Sequence, residues 1–93
     1  MISAEVIKSV QQLLQERGIE QNTNEKFGDY VARGLGISGR QADLFLQLLN
    51  EGKSVDGAIK IAEIDTTTVS EDLLNQVARA IGSALGRMAS GKS

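Results

Sequence analysis

Apolar residues in this chain recur every three to four positions, which is the spacing of helices that bury one face. No stretch alternates apolar and polar residues for long enough to predict a strand. Serines precede and glycines follow several of these stretches, as helix caps do, and the chain contains no proline. The sequence therefore predicts an all-α protein, a single compact bundle of about five short helices at residues 2–17, 25–34, 39–51, 54–64 and 71–89.

The chain is too short for more than one hydrophobic core. It has 93 residues, of which 41% are hydrophobic, so we expect one globular domain over residues 1–93. Glu5 and Lys8 interrupt the apolar residues near the N-terminus, so we expect neither a signal peptide nor a membrane span there. These features favour a cytoplasmic protein.

The side chains that most enzymatic chemistry needs are missing from the sequence. The chain has no His and no Cys, which excludes a Ser-His-Asp triad, a thiolate nucleophile and a Cys/His zinc site. Its carboxylates lie mostly at predicted helix starts or on exposed faces, where capping and solubility explain them. We predict that the protein is not an enzyme, with no catalytic residue, cofactor or metal site.

Residues 86–93 match G-x-x-x-x-G-K-[ST], the pattern of a phosphate-binding loop. Such a loop follows a strand and leads into a helix, whose first amides hold the phosphates. Here a predicted helix stands where the strand is required. We therefore interpret residues 86–93 as the tail of the last helix.

Charge is distributed unevenly along the chain. The net charge is -2, but residues 73–93 carry three basic and no acidic side chains. Because phosphate neutralisation supplies most nonspecific affinity for nucleic acids, the overall acidity argues against a dedicated nucleic-acid binder. Three basic residues are also too few for a polybasic membrane anchor, so we expect no membrane partner.

The region from Gly28 to Gln47 has the spacing of two short helices joined by a tight turn. Ala32 and Gly36 are small residues four positions apart, which would let the helices cross closely and turn tightly. Apolar residues recur around them, namely Val31, Leu35, Ile37, Ala42 and Phe45. Over these twenty positions, 28–47, the chain resembles the helix-turn-helix of DNA-binding regulators.

The resemblance implies a set of DNA contacts at and around the second helix. They would be Arg33, Ser38, Arg40, Gln41 and Gln47, whose side chains can read base edges or contact phosphates. Arg79, Arg87 and Lys92 could assist. Asp43 would repel phosphates, however, and residues 25–50 carry as many acidic as basic side chains. A regulator built on one such neutral unit would have to dimerise.

Residues 52–70 have a spacing of apolar residues similar to that helix-turn-helix pattern, but they depart from the pattern at two positions. Ile59 stands where the small residue is expected, and Glu63 stands where the turn glycine is expected. We interpret this stretch as a helix-loop-helix packing corner.

The predicted helix 39–51 has more apolar residues than one buried face needs. Leu44 and Leu48 form a second stripe beside the main one, which consists of Ala42, Phe45, Leu46 and Leu49. A helix with so wide an apolar face belongs at the centre of a core or at an interface. We therefore favour a non-catalytic interaction module that uses Leu44 and Leu48 to bind a protein partner or itself. The alternative is a dimeric helix-turn-helix transcriptional regulator.

Overall fold

The computed structural model describes residues 2–90 and is built from α-helices. They are α1 (Ala4–Glu16), α2 (Phe27–Leu35), α3 (Gly39–Asn50), α4 (Val55–Ala62) and α5 (Glu71–Ser90). No strand occurs within residues 2–90. The predicted all-α fold class with five helices is confirmed.

The helices begin and end at the caps that the sequence carries. Four serines each accept a hydrogen bond from the backbone amide three residues further on, and they are Ser3, Ser38, Ser54 and Ser70. Gly18 has a φ of 80° and ends the turn after α1, where a side chain would be strained. α2 begins at Phe27, later than predicted, because residues 22–25 form a turn in which Glu25 N–H donates to the Asn22 carbonyl at 3.1 Å.

α3 lies at the centre of the bundle and contacts α2, α4 and α5. Its wide apolar face is used inside the molecule, since Phe45, Leu46 and Leu49 are all buried. α1 and α5 pack against each other. All five helices contribute buried residues to one hydrophobic cluster, so the core is shared by the whole bundle.

The tight corner between α2 and α3 has the geometry that its small residues predict. Gly36 has a φ of 75°, and its N–H donates to the Ala32 carbonyl at 2.8 Å. Ile37 N–H donates to the same carbonyl at 3.0 Å. A side chain on Gly28, near the start of α2, would collide with the Asp43 carboxylate in the middle of α3, so the two helices also approach closely there.

Two glycine substitutions should change stability in opposite directions. Gly36→Ala places a Cβ on a left-handed residue and should lower the free energy of unfolding by about 1 kcal/mol. Gly82 lies inside α5, where an added Cβ would meet nothing within 4 Å. Gly82→Ala should therefore raise the free energy of unfolding by about 0.5–1 kcal/mol, because alanine favours the helix. Urea denaturation followed by circular dichroism measures both, and a Gly36→Ala variant at least as stable as wild type would contradict this account of the corner.

Candidate functional site

A concave surface lies between the start of α3 and the end of α4. It encloses about 320 Å³ and is lined by Ser38, Arg40, Gln41, Leu44, Ile61, Ala62 and Glu63. Ile61 is 53% exposed, which makes it the most exposed large hydrophobic residue within residues 2–90. Leu44 is half-buried beside it. We call Arg40, Leu44, Ile61 and Glu63 the Ile61 patch.

Gln41 joins the two helices that form this surface. Its Oε1 accepts a hydrogen bond from Ser38 N–H at 3.0 Å, which completes a capping box at the start of α3. Its Nε2 donates to the Glu63 carbonyl at 2.9 Å and to the Ala62 carbonyl at 3.4 Å. Carbonyls at the end of a helix lack partners within that helix. One side chain therefore caps both helices and fixes Leu44 and Ile61 on the same concave surface.

Glu63 has a backbone conformation that normally favours glycine. It ends α4 with φ 58° and ψ 42°, and no other non-glycine residue in the described range has a positive φ. The chain therefore makes a left-handed turn at the position where the helix-turn-helix pattern has a glycine. Ile64 N–H donates to the Ile59 carbonyl at 3.1 Å and closes this turn. A non-glycine residue in this region costs about 1 kcal/mol or more, and such residues cluster at functional sites.

The charged groups of the Ile61 patch are not paired with each other. The ion pairs among the described residues are Arg17 with Asp72, Arg33 with Glu25, and Arg87 with Glu5. Arg40 and Glu63 take part in none of them, and both residues are exposed. A cation from α3 and an anion from the end of α4 are therefore available to a binding partner.

Arg33, a predicted DNA contact, is exposed but binds other residues of the same chain. Its Nε lies 3.0 Å from Glu25 Oε2 and its Nη2 lies 2.8 Å from Glu25 Oε1, a bidentate pair. The guanidinium also lies over the ring of Tyr30, 5.7 Å from its centroid, and donates to the Glu20 carbonyl. Tyr30 itself is buried and donates its hydroxyl hydrogen to the Ile19 carbonyl. Arg33 therefore stabilises the connector between α1 and α2.

The structure separates the remaining predicted DNA contacts into two groups. Ser38 and Gln41 form the capping box, whereas Arg40 and Gln47 are exposed on α3 with Asp43 between them. The predicted helpers on α5 also differ. Arg87 contacts α1 through Glu5 at 3.5 Å and Ser9 at 2.8 Å, and Arg79 is exposed. Lys92 lies outside the described residues.

The predicted partner contacts Leu44 and Leu48 do not share a surface. Leu48 is 8% exposed and belongs to the core, whereas Leu44 lines the concave surface. Ile61 was not among the residues predicted from the sequence. Its position in the sequence could have indicated this exposure. Ile61 immediately precedes the buried Ala62, and neighbouring residues of an α-helix point about 100° apart around the helix axis.

Residues 2–90 contain no group of three or more acidic side chains that could hold a metal ion. Within that range no helix combines the length and the apolar character needed to cross a membrane. The part of the phosphate-loop match that the structure describes, residues 86–90, is helical and belongs to α5, and residues 91–93 lie outside it. Comparison with protein families, with curated proteins and with solved structures finds no match.

Because of the Glu25–Arg33 pair, the free energy of unfolding should fall as the pH is lowered below 4.5. The Arg33 guanidinium and the Asn22 N–H lower the pKa of Glu25 from 4.5 to about 2. Since the folded pKa lies below the unfolded one, this stabilisation is fully present above pH 4.5 and is lost as the pH falls toward 2.

Chemical denaturation of wild type and Glu25→Gln across this pH range measures the effect. Wild type should lose more stability than Glu25→Gln, because the variant has no carboxylate to protonate. The pKa of Asp65 is also lowered, by hydrogen bonds from Thr67, but both proteins share that contribution. Parallel stability curves would show that the Glu25–Arg33 contact does not form in solution.

Proposed function

We propose that this protein is a non-catalytic interaction module that binds a protein partner through the Ile61 patch. The observation that carries the proposal is the exposed Ile61, which shares a concave surface with the half-buried Leu44. Full burial of an isoleucine side chain contributes about 1.5–3 kcal/mol. About half of Ile61 is exposed, so a partner that covers it would gain part of this energy as affinity.

The surroundings of Ile61 support the same proposal. Protein interfaces combine an apolar centre with a polar rim, and the rim charges fix orientation and specificity. Here Leu44 and Ile61 provide the apolar centre, while Arg40 and Glu63 provide charges of both signs. The Gln41 hydrogen bonds hold the two helices in place, so this surface is formed before any partner arrives.

DNA binding is the weaker candidate, and a specific observation disfavours it. Three of the five predicted DNA contacts, Arg33, Ser38 and Gln41, are used to build the fold. Arg40 and Gln47 remain exposed, with the acidic Asp43 between them. A DNA reader needs several phosphate contacts to hold its position, and this face of α3 offers one cation.

Site-specific photocrosslinking tests the proposal in the cells that make the protein. We expect a photoreactive amino acid at position 61 to give crosslinked products with protein. The same group at position 47 should give none, because Gln47 does not line the concave surface although it is also exposed. Excess wild-type chain should compete for the crosslink at position 61, and excess Ile61→Asp should not.

Equal crosslinking at the two positions would contradict the proposal. Nuclease-sensitive products at position 47 would favour the DNA-binding alternative instead. In that case, binding of the purified chain to duplex DNA should weaken steeply as salt is raised, because each phosphate contact releases a counterion.

A further inference from the structure

We infer that the occupant of the Ile61 patch is a second copy of this chain, and this inference rests on the proposed function. In a two-fold dimer both copies use the same surface, so that surface must be complementary to itself. The Ile61 patch meets this requirement in its charges and in its apolar character.

The charges of the patch are self-complementary. Arg40 is supplied by α3 and Glu63 by the end of α4, and no ion pair joins them within the described chain. A two-fold axis midway between Arg40 and Glu63 would bring Arg40 of one copy to Glu63 of the partner copy, and the same pair would form a second time by symmetry. A patch with charges of one sign would repel its own copy. This patch offers two reciprocal ion pairs around an apolar contact.

The strained backbone of Glu63 fits the same contact. The other residues with positive φ in the described range are all glycines, Gly18, Gly36 and Gly52. Glycine at position 63 would relieve the strain, yet this chain has glutamate there. Within residues 2–90 the Glu63 carboxylate makes no ion pair. A contact with Arg40 of the partner copy gives the strained glutamate a role that glycine could not fill.

The size of the patch predicts a weak and reversible dimer. One exposed isoleucine from each copy and two rim ion pairs form a small contact, and interfaces below about 1,200 Å² are typical of transient association. We therefore expect a dissociation constant on the order of 10 μM to 1 mM at low salt. Added salt should weaken the dimer, because the ion pairs lie at an exposed rim.

Analytical ultracentrifugation of the full chain, from micromolar to millimolar concentration, measures the association. Arg40→Glu places two acidic residues opposite each other, and Glu63→Arg places two basic residues opposite each other. Each single reversal should raise the dissociation constant about tenfold or more. A mixture of the two variants should associate about as tightly as wild type, because every facing pair in the mixed dimer again has opposite charges.

Two controls separate this contact from general effects of charge and folding. Lys8→Glu makes the same charge change on an exposed residue of α1 and should leave association unchanged. Circular dichroism should show that Arg40→Glu and Glu63→Arg are folded, and rescue in the mixture is itself evidence that each variant folds.

The inference would be overturned if wild type stayed monomeric at millimolar concentration, or if mixing the two variants restored nothing. These failures are distinguishable from failure of the proposed function. A monomeric wild type whose position 61 still crosslinks to a different protein would leave the interaction surface in place and exclude only the second copy as its occupant. A monomer without crosslinks at position 61 would remove both.

Discussion

The hydrogen bonds of Gln41 are the constraint on which the candidate surface depends. Its side chain has one acceptor and one donor group, and the structure uses both, the acceptor at the start of α3 and the donor at the end of α4. The first amides and the last carbonyls of a helix have no partners within that helix. Gln41 bonds an amide at the start of α3 and a carbonyl at the end of α4, so it joins two helix ends that are not adjacent in the chain. The concave surface and the position of Ile61 beside Leu44 follow from this junction.

Polar side chains elsewhere in the molecule also serve the fold. Arg33 and Glu25 shape the connector before α2, and Arg87 ties α5 to α1 through Glu5 and Ser9. From the sequence these residues are expected to be polar and exposed, and a DNA-binding surface requires residues of the same kind. Their partners lie on other elements, and those partners determine which role each arginine has. The Ile61 patch differs because its charges have no such partners among the described residues.

The fold class and most helix boundaries could be predicted because they depend on local chemistry. Serine caps, the left-handed Gly36 and the helical spacing of apolar residues each act within a few positions of the chain. At Glu63 the helix-turn-helix pattern has a glycine, and the backbone adopts the left-handed conformation here without one. Local rules thus located the turn but did not predict its strain.

The candidate site could be predicted only in part because burial depends on how distant elements pack. Leu44 and Leu48 have the same side chain and lie one helical turn apart, yet Leu48 is buried in the core and Leu44 lines the patch. Ala62 and Ile61 are neighbours on α4, yet Ala62 is buried and Ile61 is exposed beside residues of α3. No spacing rule shows which neighbour will cover a given face.

The stability of Gln41→Glu tests the central claim most directly. Glutamate keeps the acceptor of the capping box and its charge suits the start of a helix, so local rules alone predict a variant as stable as wild type or more stable. The junction predicts the opposite, because the carboxylate would face the carbonyl oxygens of Ala62 and Glu63. We expect the free energy of unfolding at neutral pH to fall by about 1–2 kcal/mol, while Gln47→Glu, the same change on an exposed residue of α3, should have little effect. A Gln41→Glu variant at least as stable as wild type would contradict the account.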